Sequence, residues 1–295
     1  MFPGATDERE VTDATDDAIR GSHTDTGGQE SDRDGANFVV VGAPLDATTT
    51  FHPGTRFGPQ RIRSFAAPFD DYDHRSDRHF SDLGVVDRGD VRAWDDVAEY
   101  LEYLTSTLRE VVWNDGIPLL LGGEHTVSLA GVRAVEPEVF VCLDAHLDCY
   151  DVYDGNPLSH AAVTRRIVED VDSIEEAILL GVRTGSEAEW ERAAADDVTV
   201  VPPEDVAEWS HDGQFADRDV YLSVDIDAVD PGYAPGTGTM EPFGLEPRDI
   251  RDVVHAVAPH ADGFDVVEVN DRDDGQAAAL AAKLVREFVF SHVDG

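Results

Sequence analysis

The chain has 295 residues, 41% of them hydrophobic, enough to bury a sizeable core, and a single α/β unit commonly reaches this length. Its 62 acidic residues oppose only 22 basic ones, a formal net charge of -40, with 41 Asp and 21 Glu against 21 Arg and the single Lys283. A polyanion of this kind excludes nucleic acid and anionic membrane surfaces as partners and draws in cationic small molecules and metal ions.

Residues 5 to about 35 are rich in Asp, Thr, Gly and Ser and almost devoid of apolar side chains, so burial cannot repay their ordering. They read as the bulk of a flexible acidic arm over residues 1–36, followed by a single domain over 37–295. From Asn37 onward β-branched runs alternate with helical patterns: strand 37–41, helix 57–65, strand 83–86, helix 94–113, strand 117–121, helix 126–134, strand 139–143 and helix 160–169. The series continues with strand 177–182, helix 186–195, strand 198–201, strand 220–224, helix 247–257, strand 264–269 and helix 275–290. Alternating β and α units imply a three-layer α/β/α fold with a mainly parallel central sheet. In such a sheet ligands bind outside the carboxyl ends of the strands. The segment from Gly42 to Gly58 should cross that same edge as a loop and is placed to line a pocket.

The acids are spread along the whole chain, which argues against a nucleic-acid mimic or a solubilising tail. At roughly 1 M salt the Debye length is only about 3 Å, so self-repulsion is screened there and strong at low ionic strength. The composition is that of a halophilic protein. Its two cysteines, Cys142 and Cys149, give no disulfide framework and suit a reduced cytoplasm. No run approaches 18 apolar residues and no basic, apolar signal region opens the chain, so neither a membrane span nor a secretory address is expected.

Six side chains able to hold metal fall at or just past the ends of three strand-like runs. Run 117–121 leads into Gly122-Gly-Glu-His125-Thr, run 139–143 into Asp144-Ala-His146-Leu-Asp148, and run 220–224 into Asp225-Ile-Asp227-Ala-Val-Asp230-Pro231. Spacing by two on extended backbone puts Asp144, His146 and Asp148 on one side, and Asp225 with Asp227 likewise. Four carboxylates and two imidazoles around one point bury too much negative charge to persist without cations. The oxygen-dominated set favours Mn²⁺ or another hard divalent ion over structural Zn²⁺. Two such ions about 3.5 to 4 Å apart can hold a bridging water and lower its pKa, so hydrolysis is the natural chemistry. Asp230, before a proline, reads as a turn residue, and His52, His74, His79, His211, His255 and His292 as surface or helix positions.

Together the segments Gly-Gly-Glu-His-Thr, Asp-Ala-His-Leu-Asp and Ser-Val-Asp-Ile-Asp-Ala-Val-Asp-Pro, with Ala234-Pro-Gly-Thr-Gly238 and Val267-Glu-Val-Asn270, resemble the ureohydrolase family of arginases, agmatinases and formiminoglutamases. The likeness spans roughly residues 38–293 and implies an arginase-like fold. It implies two Mn²⁺ ions, one held by His125, Asp144, Asp148 and Asp225 and the other by Asp144, His146, Asp225 and Asp227. It also implies that His160 acts as a proton shuttle and that Glu268 pairs with the guanidinium of the substrate. Imidazole suits proton transfer near neutral pH, and a carboxylate binds a planar guanidinium bidentately.

The loop Pro44-Leu-Asp46 to Thr50-Phe, with Pro53-Gly-Thr-Arg-Phe-Gly, resembles the agmatinase branch more than arginases, and with its acidity the chain is most like a haloarchaeal-type agmatinase. This resemblance implies hydrolysis of agmatine to putrescine and urea, a step in polyamine biosynthesis. The same chemistry on aminopropylagmatine, guanidinobutyrate, arginine or formiminoglutamate is the alternative. Asn156 and Ser159 are the donors that sequence places near the substrate. Ala161 and Ala162 after His160, and Phe243 in Glu241-Pro-Phe-Gly, depart from the family pattern, and Phe243 is expected to narrow the mouth. From another class, the chain could be a non-catalytic, metal-binding scaffold relative, a role that needs neither His160 nor Glu268. The family's habit implies a homo-oligomer, a trimer or hexamer.

Overall fold

A computed structural model describes residues 2–7, 37–211 and 213–295. Its main sheet has nine strands among the described residues: β1 (Thr6–Asp7), β2 (Asn37–Ala43), β5 (Val85–Asp90), β6 (Gly116–Gly122), β7 (Val139–Leu143), β8 (Glu176–Leu180), β9 (Val198–Val201), β10 (Val220–Asp225) and β11 (Ala261–Val267). Strands β3 (Tyr72–Asp73) and β4 (Arg78–His79) form a separate antiparallel pair that periodicity did not reveal. The order is β1-β5-β2-β6-β11-β10-β7-β8-β9, and every neighbouring pair is parallel.

Alternation along the strands builds two cores. Phe38 and Val40 of β2 and Val139, Val141 and Leu143 of β7 face one layer, which holds α1 (Gly58–Ala66), α7 (Pro247–Val257) and α8 (Gln276–Asp294). Val39 and Val41, with Phe140 and Cys142, face the other, covered by α2 (Val97–Trp113), α3 (Ser128–Val135), α4 (Val163–Asp170) and α5 (Glu187–Ala193). A short α6 (Pro203–Val206) follows β9. The three-layer α/β/α reading therefore holds, since a strand with side chains of both faces buried needs helices on both sides.

Helix limits are set by caps. The pattern over 94–113 becomes a helix from Val97 because Asp96 accepts the Glu99 N–H at 3.0 Å. Ser186 caps α5 in a reciprocal capping box with Glu189. Two strands stop earlier than their composition suggests: β8 ends before Gly181 at φ 92°, and β11 before Glu268 at φ 60°.

The expected arm is corrected at its start. Phe2 is fully buried against Phe80, its backbone N–H bonds Asp87, and Thr6–Asp7 pairs with β5. The rest of the arm, residues 8–36, lies outside the described residues. Arg63 secures the β5 strand by binding Asp87 through Nε and Nη2, each at 2.8 Å, and Asp90 through Nη1 at 2.5 Å. No helix among the described residues is long and apolar enough to cross a membrane.

Candidate active site

The carboxyl ends of β6, β7, β10 and β11, adjacent in the order β6-β11-β10-β7, deliver the chemistry to one place. His125 follows β6, Asp144, His146 and Asp148 follow β7, Asp225 closes β10 with Asp227 in the 3-10 turn beyond it, and Glu268 follows β11. His125 is fully buried, with Nδ1 3.0 Å from Asp144 Oδ2, 3.0 Å from Asp148 Oδ2 and 3.4 Å from Asp225 Oδ2. His146 Nδ1 lies 3.1 Å from Asp227 Oδ2 and 3.6 Å from Asp144 Oδ1. Asp144 thus turns one oxygen to each imidazole. All six expected side chains are brought together.

Backbone donors fix the carboxylates. Asp144 Oδ1 accepts the His146 N–H at 2.7 Å, Asp225 Oδ1 the Asp227 N–H at 2.8 Å, and Asp227 Oδ1 the Ala145 N–H at 3.1 Å. Thr239 Oγ1 donates to Asp227 Oδ2 at 3.0 Å. Asp148 and Glu268 both hold left-handed backbone, at φ 48° and 60°, an uncommon conformation outside glycine that re-aims their side chains into the site.

Electrostatics show what the cluster lacks. Burial, then the charges of Asp227 and Asp144, push the Asp225 carboxyl well above its usual range, and burial with Asp144 pushes Asp148 up to about 6. Burial resists charging of His146, but Asp227 and Asp144 outweigh it and push the ring up to about 12. His125 is likewise raised, and Asp144, beside both imidazoles, is lowered despite its burial. Protons are being gathered to balance carboxylates, a task that divalent cations perform in their place. The donor set fits such ions. Octahedral bonds of about 2.0–2.1 Å put neighbouring donors about 2.9 Å apart, close to the 3.0–3.1 Å separations at His125 and His146. Asp144 Oδ2 is buried and without a hydrogen-bond donor. Cys142 Sγ lies 3.7 Å from His125 Nε2, on the far side of the ring, and burial pushes its thiol up to about 12, so it stays neutral.

Beside this cluster His160 Nδ1 meets Glu268 Oε1 at 2.8 Å, and the same oxygen accepts the His125 N–H at 2.8 Å. Glu268 Oε2 is buried and unpartnered. Burial opposes charging of His160, yet Glu268, Asp148 and Glu124 push it up to about 9. The Thr50 N–H, 3.0 Å from Nε2, instead favours the neutral ring with its proton on Nδ1. Positive charge held by the carboxylate cluster would cancel the field that raises this pKa, so the neutral ring is the form suited to a cation-loaded site.

A cavity of about 360 Å³ opens over these groups, lined by Thr50, His146, Asp148, His160, Asp225 and Asp227 at its base and by Tyr150, Tyr153, Ser186 and Glu189 among its walls. Glu189 is 3% exposed, accepts Cys149 N–H at 3.1 Å and Ser186 N–H and Oγ–H at 2.8 Å, and has no ion pair among the described residues. No Lys or Arg lines the cavity among the described residues. Asn156 and Ser159 do not line it. The Asn156 amide oxygen accepts Leu158 N–H at 2.9 Å, and Ser159 is buried beneath. Phe243 does not narrow the mouth, since it is 88% exposed and points to solvent. Asp230 takes the turn role, accepting the N–H groups of Gly232, Phe243 and Gly244.

The model of the Arginase family matches residues 36–291. The chain belongs to the arginase family. It is a hydrolase of the agmatinase type. It is 36% identical to the N(1)-aminopropylagmatine ureohydrolase of Thermococcus kodakarensis, over 85% of this chain and 88% of the relative. It is 33% identical to the agmatinase of Bacillus cereus, over 88% of this chain and 92% of that one. Among solved structures, the agmatine ureohydrolase of Thermoplasma volcanium superposes with a TM-score of 0.81 at 32% identity, covering 94% of this chain and 97% of the other. The proclavaminate amidino hydrolase of Streptomyces clavuligerus follows at 0.78 and 31%, covering 88% and 92%.

Two kinds of residue escaped the sequence reading of this arginase-family site. Glu189 carried a visible signal, Ser-x-x-Glu, but that pattern speaks of a helix start and says nothing of a cavity. Thr48 and Thr50 fall in the 42–58 loop expected at this edge but were not singled out within it, and Thr239 gave no signal, because only the fold decides which hydroxyls of these loops face the site.

Proposed function

We propose that this enzyme hydrolyses agmatine to putrescine and urea, and that His125, Asp144, His146, Asp148, Asp225 and Asp227 would hold two Mn²⁺ ions. The observation that carries the substrate is the charge of the cavity. Its wall presents the Glu189 carboxylate, which has no ion pair among the described residues, and no Lys or Arg, which suits a substrate charged positively at both ends. Arginine, guanidinobutyrate and formiminoglutamate each bring a carboxylate that this wall repels. The names of the relatives agree, one an agmatinase and one an aminopropylagmatine ureohydrolase.

The bound ions supply an activated water and a Lewis-acidic surface at neutral pH. The protein does the rest. Glu268 Oε2, the open acceptor, receives guanidinium N–H groups and aligns the planar group over the carboxylate cluster. Tyr150 and Tyr153, edge to face at 5.2 Å, form an apolar wall for the methylene chain, and Glu189 takes the distal ammonium. Water adds its oxygen to the guanidinium carbon, and both of its protons end on the departing nitrogen as the C–N bond breaks. One of them is relayed by neutral His160, which takes up a proton before giving one to that nitrogen and ends the cycle neutral again. The products are urea and a diammonium chain.

Product analysis with Mn²⁺ at high salt tests this. Agmatine should give urea and putrescine in equal amounts, and aminopropylagmatine, the nearest rival, should react more slowly. Formamide release from formiminoglutamate as the dominant activity would defeat the assignment.

A further inference from the structure

We propose that Glu124 is a positioning residue that acts through Thr48 to fix the ring and tautomer of His160. Glu124 is fully buried between the carboxylate cluster and the loop that follows β2. Its Oε1 accepts the Thr48 hydroxyl at 2.7 Å and its Oε2 the Thr48 N–H at 2.7 Å, with Thr49 Oγ1 at 3.4 Å. Two donors of one residue bound to one carboxylate allow Thr48 a single rotamer. Its hydroxyl proton is committed to Glu124, so its oxygen can only accept, and it accepts the His160 N–H at 2.9 Å.

Two residues on, the same loop brings the Thr50 N–H to His160 Nε2 at 3.0 Å. The Thr50 hydroxyl, 2.9 Å from Nε2, can donate or accept, whereas the backbone N–H there can only donate, so Nε2 offers its lone pair and the ring proton sits on Nδ1, facing Glu268 Oε1 at 2.8 Å. Glu268 Oε1 in turn accepts the N–H of His125, the residue bonded to Glu124. The chain of contacts closes on itself: Glu124, Thr48, the loop to Thr50, His160, Glu268, His125 and back to Glu124. A carboxylate is needed at the start because both groups facing it are donors, and an amide would turn its own donors on one of them. Groups that orient a functional side chain typically change rate or affinity about 10–100-fold when lost.

This inference rests on the reading that His160 carries the proton, and its test separates the two. Glu124→Gln and Thr48→Val should each lower kcat for agmatine about 10–100-fold, with KM within about 3-fold and metal content unchanged. Placed in a His160→Asn background, each should cause no further loss, since a residue acting through His160 has nothing left to act on. Losses that multiply in the double variants, or a fall in metal content that accounts for the rate, would overturn the proposal. An independent readout needs no turnover. In ¹⁵N-histidine spectra of Zn²⁺-loaded protein, the signal absent from His160→Asn should report the Nδ1–H form, and Glu124→Gln should convert it to a mixture of tautomers. An unchanged tautomer in that variant sinks the proposal even if agmatine proves not to be the substrate.

Discussion

At Glu189 one carboxylate closes a helix and lines a cavity. Gln can keep the capping box with Ser186 through its amide oxygen but turns its N–H on the Cys149 N–H that Glu189 Oε1 accepts, so Glu189→Gln should lower stability by about 1–3 kcal/mol while removing the charge. KM for agmatine should rise about 100-fold with kcat little changed, the loss of an interaction shared by substrate and transition state; steady-state kinetics with a thermal melt as control checks it. The carboxylate cluster gives a second expectation, with its sign fixed by the imidazoles. His125 and His146 are raised, His146 to about 12, so in the cation-free protein both hold protons at neutral pH. Asp225 is raised too, and Asp148 to about 6. Binding must displace those protons, so affinity for Mn²⁺ falls as pH falls. Calorimetry in buffers of different ionisation enthalpy should find at least about two protons released per pair of ions at pH 7. Sequence disclosed these six side chains because each sits in a strand-end motif. It could not disclose their backbone partners, since the Ala145 N–H that Asp227 accepts lies 82 residues away.

Among the elements, strands and helices were legible to the residue at 139–143, 198–201 and 247–257, runs bounded by Asp144, by Pro202 and by the Glu246–Asp249 capping box. The misses have physical causes. Asp96 and Ser186 fall inside the helices their patterns suggested but serve as caps just outside the observed α2 and α5, and Glu268 leaves β11 by adopting a left-handed turn. Phe2 packs because a single aromatic ring can anchor a polar segment, which composition averaged over thirty residues hides. The loop after β10 is irregular but firmly tied. The Arg183 guanidinium binds the carbonyl oxygens of Gly181, Asp227, Ala228, Glu241 and Pro242 at 2.7–3.2 Å. Lys cannot reproduce that fork, so Arg183→Lys should destabilise the protein by about 1–3 kcal/mol and weaken metal retention at the Asp227 end. Chemical denaturation and metal analysis after dialysis read both effects, and unchanged values would deny the loop this anchor.

For the whole molecule, a net charge of -40 sets the conditions under which the fold persists. With 21 Arg and one Lys to offset 62 acids, repulsion is relieved by dissolved cations more than by ion pairs. Raising KCl from about 0.1 M to about 2 M should therefore raise Tm substantially, and a flat response would contradict the salt-adapted reading. The same field favours approach of a dication, while selection among guanidino compounds belongs to the cavity wall. Agmatine and 4-guanidinobutyrate make the sharpest comparison, because they share the reacting group and nearly the same length and differ in the sign of the tail charge. The ratio of their kcat/KM values, measured with Mn²⁺ in molar KCl, tests the account most directly. It should favour agmatine by at least about 100-fold and collapse toward parity in Glu189→Gln. A ratio near one in the unaltered enzyme, or one favouring the carboxylate, would contradict it.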